Sequence, residues 1–200
     1  MLKNRFRKYL PVVVDLETGG FDYENSAVLE IAITLIEEED NQLLVGETHR
    51  YHIEPYDGLI VEDESLEFTK IKLNHPLRNA VSEEIALKEL FKIINIHRNK
   101  YECSRAILVG HNASFDLNFI NEAAIRCSLK RNPFHPFSCF DTATLCGLAY
   151  GHTVLAKAVN IAGFEWDTEQ AHGAAYDAEK TADIFCDVVN RYKLIYDKLM

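Results

Sequence analysis

Two hundred residues, 48% apolar and 26% charged, suit one compact domain able to bury a sizeable core, and no apolar run is long enough for a membrane span. Five cysteines with no C-x-x-C pair argue against a disulfide framework and a thiolate zinc site, and the first ten residues lack an apolar signal core, so the expected location is the cytoplasm. With 21 Lys and Arg against 31 Asp and Glu the net charge is −10, which disfavours a polyanionic partner unless basic residues gather locally, as Lys3, Arg5, Arg7 and Lys8 do, and again Arg126, Lys130 and Arg131.

Residues 1–10 read as a basic N-terminal arm and residues 11–200 as a single domain. A first strand, β-branched and apolar over 11–14, runs into D-L-E and then the turn Thr18, Gly19, Gly20. Residues 27–36 predict a second strand, with the acidic run 37–40 as its solvated end, and the alternation through His49, Tyr51 and Ile53 a third that stops at Pro55. Residues 57–76 form a long irregular connection with one short helix near 63–68. Ser82 opens a helix to about His97, and the apolar run 106–109 is a buried strand. In H-N-A-S-F-D, Asn112 or Ser114 is the expected helix cap, which puts Asp116 in the first turn, where the helix dipole favours a carboxylate. A proline-bracketed turn, a short strand over 137–140 and helices over 141–149, 154–162 and 173–192 complete the chain. The order β-β-β-α-β-α-β-α-α-α predicts an α/β fold, a mixed five-stranded sheet with helices on both faces, and its connectivity resembles that of the ribonuclease H-like fold.

Side chains alternate along a strand, so Asp15 and Glu17 point the same way at the end of a buried segment. Alone, such a pair is no more than a strand leaving for water. Asp116 opening one helix and Asp177 in the first turns of another add two more carboxylates at the ends of elements, and oxygen ligands of this kind suit a hard cation such as Mg²⁺ or Mn²⁺. Two such cations about 4 Å apart activate a water and stabilise the leaving oxygen in phosphodiester hydrolysis. His172 lies five residues before Asp177. On one continuous helix the two would stand about 140° apart, so His172 is expected in the loop before it. There a side chain with an ordinary pKa of about 6.5 can take a proton from the attacking water.

D-x-E-T-x-G, then H-N-x-x-F-D, then H-x-x-x-x-D, in that order, resemble the motifs of the DEDDh (DnaQ-like) 3′-to-5′ exonuclease family. The resemblance implies Asp15, Glu17, Asp116 and Asp177 as ligands of two Mg²⁺ per active site, with Mn²⁺ as a substitute, and His172 as the general base. R-N-P-F-H-P-F at 131–137, F-D-T-A at 140–143 and H-G-A-A-Y-D-A-E at 172–179 are similar to an RNA-trimming branch of that family, and the similarity runs from about Arg5 to Arg191. Small departures are the second glycine of T-G-G and G-A-A after His172, and neither touches a metal ligand.

That branch implies a 3′-to-5′ exoribonuclease that trims short single-stranded 3′ ends of tRNA, rRNA and other stable RNA precursors. It releases nucleoside 5′-monophosphates and also acts on DNA 3′ ends. The resemblance further implies a homodimer in which basic residues of one subunit guide RNA into the other's site, and Arg5, Arg7, Lys8, Lys130 and Arg131 are the candidates. Phe21, Phe68, Phe115 and Phe137 match base-stacking aromatics, and Glu64 the acid that lies against the terminal base. Two other readings have distinct signatures. A proofreading subunit of a DNA polymerase would lack the P-F-H-P-F segment and the basic arm. A catalytically silent RNA binder would have no use for closely spaced carboxylates that repel phosphate.

Overall fold

The computed structural model describes residues 2–199; positions 1 and 200, the outer ends of the expected arm and domain, lie outside the described residues. Strands β1 (Tyr9–Thr18), β2 (Val28–Glu39) and β3 (Gln42–His52) form an antiparallel meander. After α1 (Asp63–Thr69) and α2 (Glu83–Lys100), β4 (Arg105–Gly110) returns parallel to β1. Helix α3 (Ser114–Arg126) then leads to β5 (Phe134–Asp141), parallel to β4, and the sheet order is β3-β2-β1-β4-β5. Four helices end the chain: α4 (Thr142–Tyr150), α5 (Leu155–Ala162), α6 (Ala174–Arg191) and α7 (Lys193–Leu199).

Central β1 is buried at every position from Leu10 to Val14. Such a run without alternation requires cover on both faces. Helices α2 and α3 pack on the sheet and on each other, while α4 and α5 flank α6, which lies across β1, β2 and β3. Small residues at Ala174, Ala178 and Ala182 let α6 approach the sheet closely before Phe185 fills the space beyond them. The expected cap of α2 is present, with Ser82 Oγ accepting from the Ile85 N–H at 3.4 Å.

Several boundaries differ from the sequence reading, each for a physical reason. The run 37–40 is the end of β2 and reaches solvent at Glu39 and Asp40, but Glu37 to Glu39 stay in the strand and half-buried Glu37 accepts hydrogen bonds from Lys100 (2.6 Å) and from Tyr101. The hairpin turns on Asp40 and Asn41, both with positive φ (49° and 63°), the conformation a two-residue hairpin needs, so β3 begins at Gln42. Strand β5 starts three residues earlier than expected because it is an edge strand, where Pro136 is tolerated. Neither Asn112 nor Ser114 caps α3; the N-cap is Ala113, with no side-chain bond. Asp116 accepts the N–H groups instead, its own and that of Leu16.

The basic N-terminal segment is docked on the domain. Leu2 is fully buried and its N–H donates to Glu38, Lys3 pairs with Glu102 at 2.7 Å, and the Phe6 ring meets Phe140 at 5.0 Å and Phe185 at 6.1 Å. Phe6, Arg7 and Lys8 all have left-handed backbone (φ 50°, 59°, 62°), which costs about 1–2 kcal/mol per non-glycine residue and is held by that packing.

Candidate active site

At the end of β1, Asp15 lies opposite Ala32 and Glu17 opposite Glu30, and a bulge after Glu17 turns the chain into the T-G-G loop. This loop is fastened to the segment that opens α1. Gly19 donates to the Ala27 carbonyl and accepts from the Glu62 N–H, both at 2.7 Å, and a side chain on Gly19 would lie 2.7 Å from the Ile60 carbonyl oxygen. That contact fixes α1, with Glu64 and Phe68, beside the strand end.

Asp15, Glu17 and Asp177 converge: one carboxylate oxygen from each lies within 4.8 Å of the others. Asp177 comes from the first turn of α6, 160 residues later in the chain than Glu17, and reaches the strand end because α6 crosses the sheet there. Asp116, from the first turn of α3, is outside that trio but close enough for its charge to act on both Asp15 and Glu17.

The electrostatics of this group are unfavourable as the chain stands. Burial, then the charges of Asp116, Glu17, Asp177 and Glu30, holds the Asp15 carboxyl well above its usual range. Burial, then Asp177, Glu30 and Asp116, pushes Glu17 up to about 9. Burial pushes Asp116 up to about 8 against the two N–H groups it accepts, and burial also raises Asp177. Asp177 Oδ1 and Glu30 Oε1 are buried without a hydrogen-bond partner. Buried carboxylates are retained when paired or bound to metal, and an all-oxygen donor set with orphaned lone pairs fits a hard divalent cation.

His172 sits in the turn before α6, as the spacing to Asp177 predicts, with φ 65°. Its backbone N–H donates to Asp177 Oδ2 at 3.3 Å and its exposed ring rests on Phe68, centroids 4.3 Å apart. Phe21 is 85% exposed and Phe68 62%, far from what a core phenylalanine shows. Phe115 is half-buried between Phe21 (6.3 Å) and Phe119 (4.7 Å). Phe21, Phe115, Phe68 and His172 therefore line the rim of the carboxylate group, and Glu64 is exposed in the first turn of α1.

Phe137 is 80% exposed on β5, where its ring stands edge-on to His135 at 4.5 Å. His135 meets Tyr9 at 5.5 Å, and the Arg7 guanidinium lies over Tyr9 at 5.3 Å. Arg7 and Phe137 thus belong to one continuous surface. Arg5 lies over Tyr196 at 4.8 Å; Lys8, Lys130 and Arg131 are exposed. Arg126 is not free, because it is held by Glu83.

Sequence reasoning missed a second row. Glu17, Glu30 and His52 are cross-strand neighbours on β1, β2 and β3, with His52 Nδ1 3.0 Å from Glu30 Oε2. Buried Arg78 braces this row by donating to the carbonyls of Leu29 (2.8 Å) and Ile53 (2.7 Å). The one signal was Glu30 itself, a lone charge in V-L-E-I-A-I. His111, in the H-N motif, is structural: one ring nitrogen faces Thr142 Oγ1 (3.0 Å), the other the Thr153 carbonyl (2.7 Å), and burial lowers its pKa.

The RNase_T family model, described as an exonuclease, matches residues 12–185. A ribonuclease T of Vibrio vulnificus (strain CMCP6) is 55% identical over 196 residues, 97% of this chain and 90% of the relative. One of Vibrio parahaemolyticus serotype O3:K6 (strain RIMD 2210633) is also 55% identical, across 97% of this chain and 92% of the relative. The fold is similar to that of E. coli exonuclease I in complex with a dT13 oligonucleotide, with a TM-score of 0.70 at 16% identity. That match covers 96% of this chain and 43% of exonuclease I, so the chain spans less than half of exonuclease I's length. A 3′-exonuclease solved in 3′-end-specific recognition of a histone mRNA stem-loop has a TM-score of 0.71 at 15% identity, over 90% of this chain and 63% of that one. By the family model and by relatives matched along nearly their whole length, this chain belongs to the exonuclease family that includes the ribonuclease T proteins.

Proposed function

We propose that this exonuclease is a 3′-to-5′ exoribonuclease that removes single nucleotides from short single-stranded 3′ ends of stable RNA precursors, tRNA among them, and that also accepts DNA 3′ ends. The observation that carries the reading is the convergence of Asp15, Glu17 and Asp177 within 4.8 Å, with no cationic side chain paired to them among the described residues and exposed aromatics at the rim. Asp15, Glu17, Asp116 and Asp177 would hold two divalent cations, Mg²⁺ with Mn²⁺ as a substitute, which when bound supply an activated water and charge stabilisation for the leaving oxygen.

The chain's own residues position the strand. Phe21 and Phe68 offer exposed faces on which terminal bases stack whatever their identity, and Phe115 backs Phe21. Glu64 supplies hydrogen bonding to the last base. His172 Nδ1 or Nε2 takes the proton of the attacking water, for which its ring must turn from Phe68 toward the carboxylates. Water adds across the terminal phosphodiester, a nucleoside 5′-monophosphate leaves, and the shortened strand keeps a 3′-hydroxyl.

The Arg7, Tyr9, His135 and Phe137 surface, with Arg5, Lys8, Lys130 and Arg131, is the part of the molecule we assign to guiding RNA into the site of a second subunit of a homodimer. Five free cysteines suit a reducing compartment and support a cytoplasmic location, and no helix among the described residues is long and apolar enough to cross a membrane. The deciding experiment is digestion of an RNA hairpin with a 3′ overhang in Mg²⁺. Stepwise release of nucleoside 5′-monophosphates is expected; internal fragments or 3′-monophosphates would sink the reading.

A further inference from the structure

Beside the carboxylate group lies a second cavity, of about 460 Å³, in the range of small-molecule sites. Its lining includes His172 and Glu30, neighbours of the carboxylate group, together with the cations Arg50, Lys70, Lys72 and Arg78. Arg78 is committed to the Leu29 and Ile53 carbonyls, and Glu30 Oε2 stands 3.0 Å from His52 Nδ1. Arg50, Lys70 and Lys72 are different: all three are exposed, and none pairs with a carboxylate among the described residues. In a chain of net charge −10, three uncommitted cations around one cavity next to a phosphodiesterase site are a local inversion of the charge pattern.

Lys70 adds a second observation. It ends α1 in the left-handed conformation, φ 58°, a position where glycine is the usual residue. A lysine there strains the backbone relative to glycine, with no side-chain bond among the described residues in return. The side chain is free to serve a ligand.

We propose that this cavity is a phosphate-binding subsite in which Arg50, Lys70 and Lys72 hold a phosphate group of the nucleic acid or of its product next to His172. The inference rests on the exonuclease reading of the neighbouring carboxylates. Two sources supply the same chemistry: a backbone phosphate upstream of the cleaved bond, or the 5′-phosphate of the released nucleotide. An upstream phosphate held here keeps the strand engaged between cuts. A product phosphate held here makes release of the nucleotide a separate step.

The test compares the full chain with its Arg50→Gln/Lys70→Gly/Lys72→Gln variant. Binding of a 5′-labelled RNA decamer is followed by anisotropy in Ca²⁺ over a salt series, and adenosine 5′-monophosphate is titrated as a competitor. Lys70→Gly relieves the left-handed strain, so the melting temperature is expected to hold, which separates lost binding from lost folding. If the subsite takes an upstream phosphate, decamer affinity falls about tenfold and the slope of log affinity against log salt shrinks by about 0.7, the value for one neutralised phosphate on a single strand. If it takes the product, competition by the mononucleotide weakens and decamer affinity stays. Unchanged decamer affinity, salt slope and mononucleotide competition overturn the proposal. Turnover of a dinucleotide in Mg²⁺, which has no upstream phosphate, is measured in parallel. A wild-type chain inactive there and on the decamer refutes the exonuclease reading, while the binding series still reads the cavity.

Discussion

Glu83 and Glu17 are both buried carboxylates, and they are satisfied in opposite ways. Glu83 receives two bonds from Arg126, at 2.6 and 2.7 Å, inside the contact between α2 and α3. Glu17 faces Asp15 and Asp177 with no cationic side chain paired to them among the described residues, and its carboxyl is pushed up to about 9. The first arrangement is closed and holds the scaffold together. The second is open, a donor set that a divalent cation would complete. Burial of an acid alone does not distinguish structure from function; the origin of the opposing charge does.

The sharpest way to break the comparison is Asp15→Asn. Losing one ligand of the group should lower kcat by about three orders of magnitude, several kcal/mol of lost charge stabilisation, in initial-rate measurements with Mg²⁺. Because a repelling charge is removed, melting in chelator should be no lower than for the unmodified chain. Near-normal turnover would place the chemistry elsewhere. His172→Ala should lower kcat by about 10²–10⁴-fold while titration calorimetry shows divalent-cation affinity intact; lost affinity would make the histidine a ligand.

On the scaffold side, Arg126→Ala leaves Glu83 buried and unpaired, and denaturant unfolding should register a loss of about 3–5 kcal/mol with kcat unchanged. The pH response tests the open group. Glu17 titrates at about 9 instead of 4.5 and Asp116 at about 8 instead of 3.8, so between those limits the folded state holds more protons than the unfolded one. Stability in chelator should therefore fall as pH rises from 5 to 9, and a saturating divalent cation, which replaces those protons, should flatten the slope. A flat profile in chelator would mean that the carboxylates are relaxed without metal. The smallest effect is expected for Phe21→Ala: about 1–3 kcal/mol in strand binding, read by KM, and none in melting, since the ring is exposed.

How much of this was legible in the sequence depended on the distance over which each feature is set. Strand alternation alone put Asp15 and Glu17 on one face, and the five-residue interval put His172 in the turn before α6, where it lies. Both are local. The α3 cap was misread because the partner of those N–H groups is a carboxylate that also bonds Leu16 on β1, a tertiary contact. Glu30, His52 and Arg78 escaped for the same reason: their meeting depends on the register of three strands and on where residue 78 folds back. Glu37 read as solvated along with the rest of the run 37–40 because Lys100 and Tyr101, which hold it, come more than 60 residues later.

The position of α6 has one further consequence, for biosynthesis. Asp177 and His172 belong to an element made late in synthesis, after every strand of the sheet. A nascent chain can pair β1 to β5 while its carboxylate group still lacks one of the three converging oxygens and His172 at the rim. On the roles proposed for Asp177 and His172, hydrolytic activity would be withheld until α6 docks across β1, β2 and β3. A protein proposed to trim RNA would in this way be inert for most of the time it remains attached to the RNA that encodes it and to the ribosome that makes it.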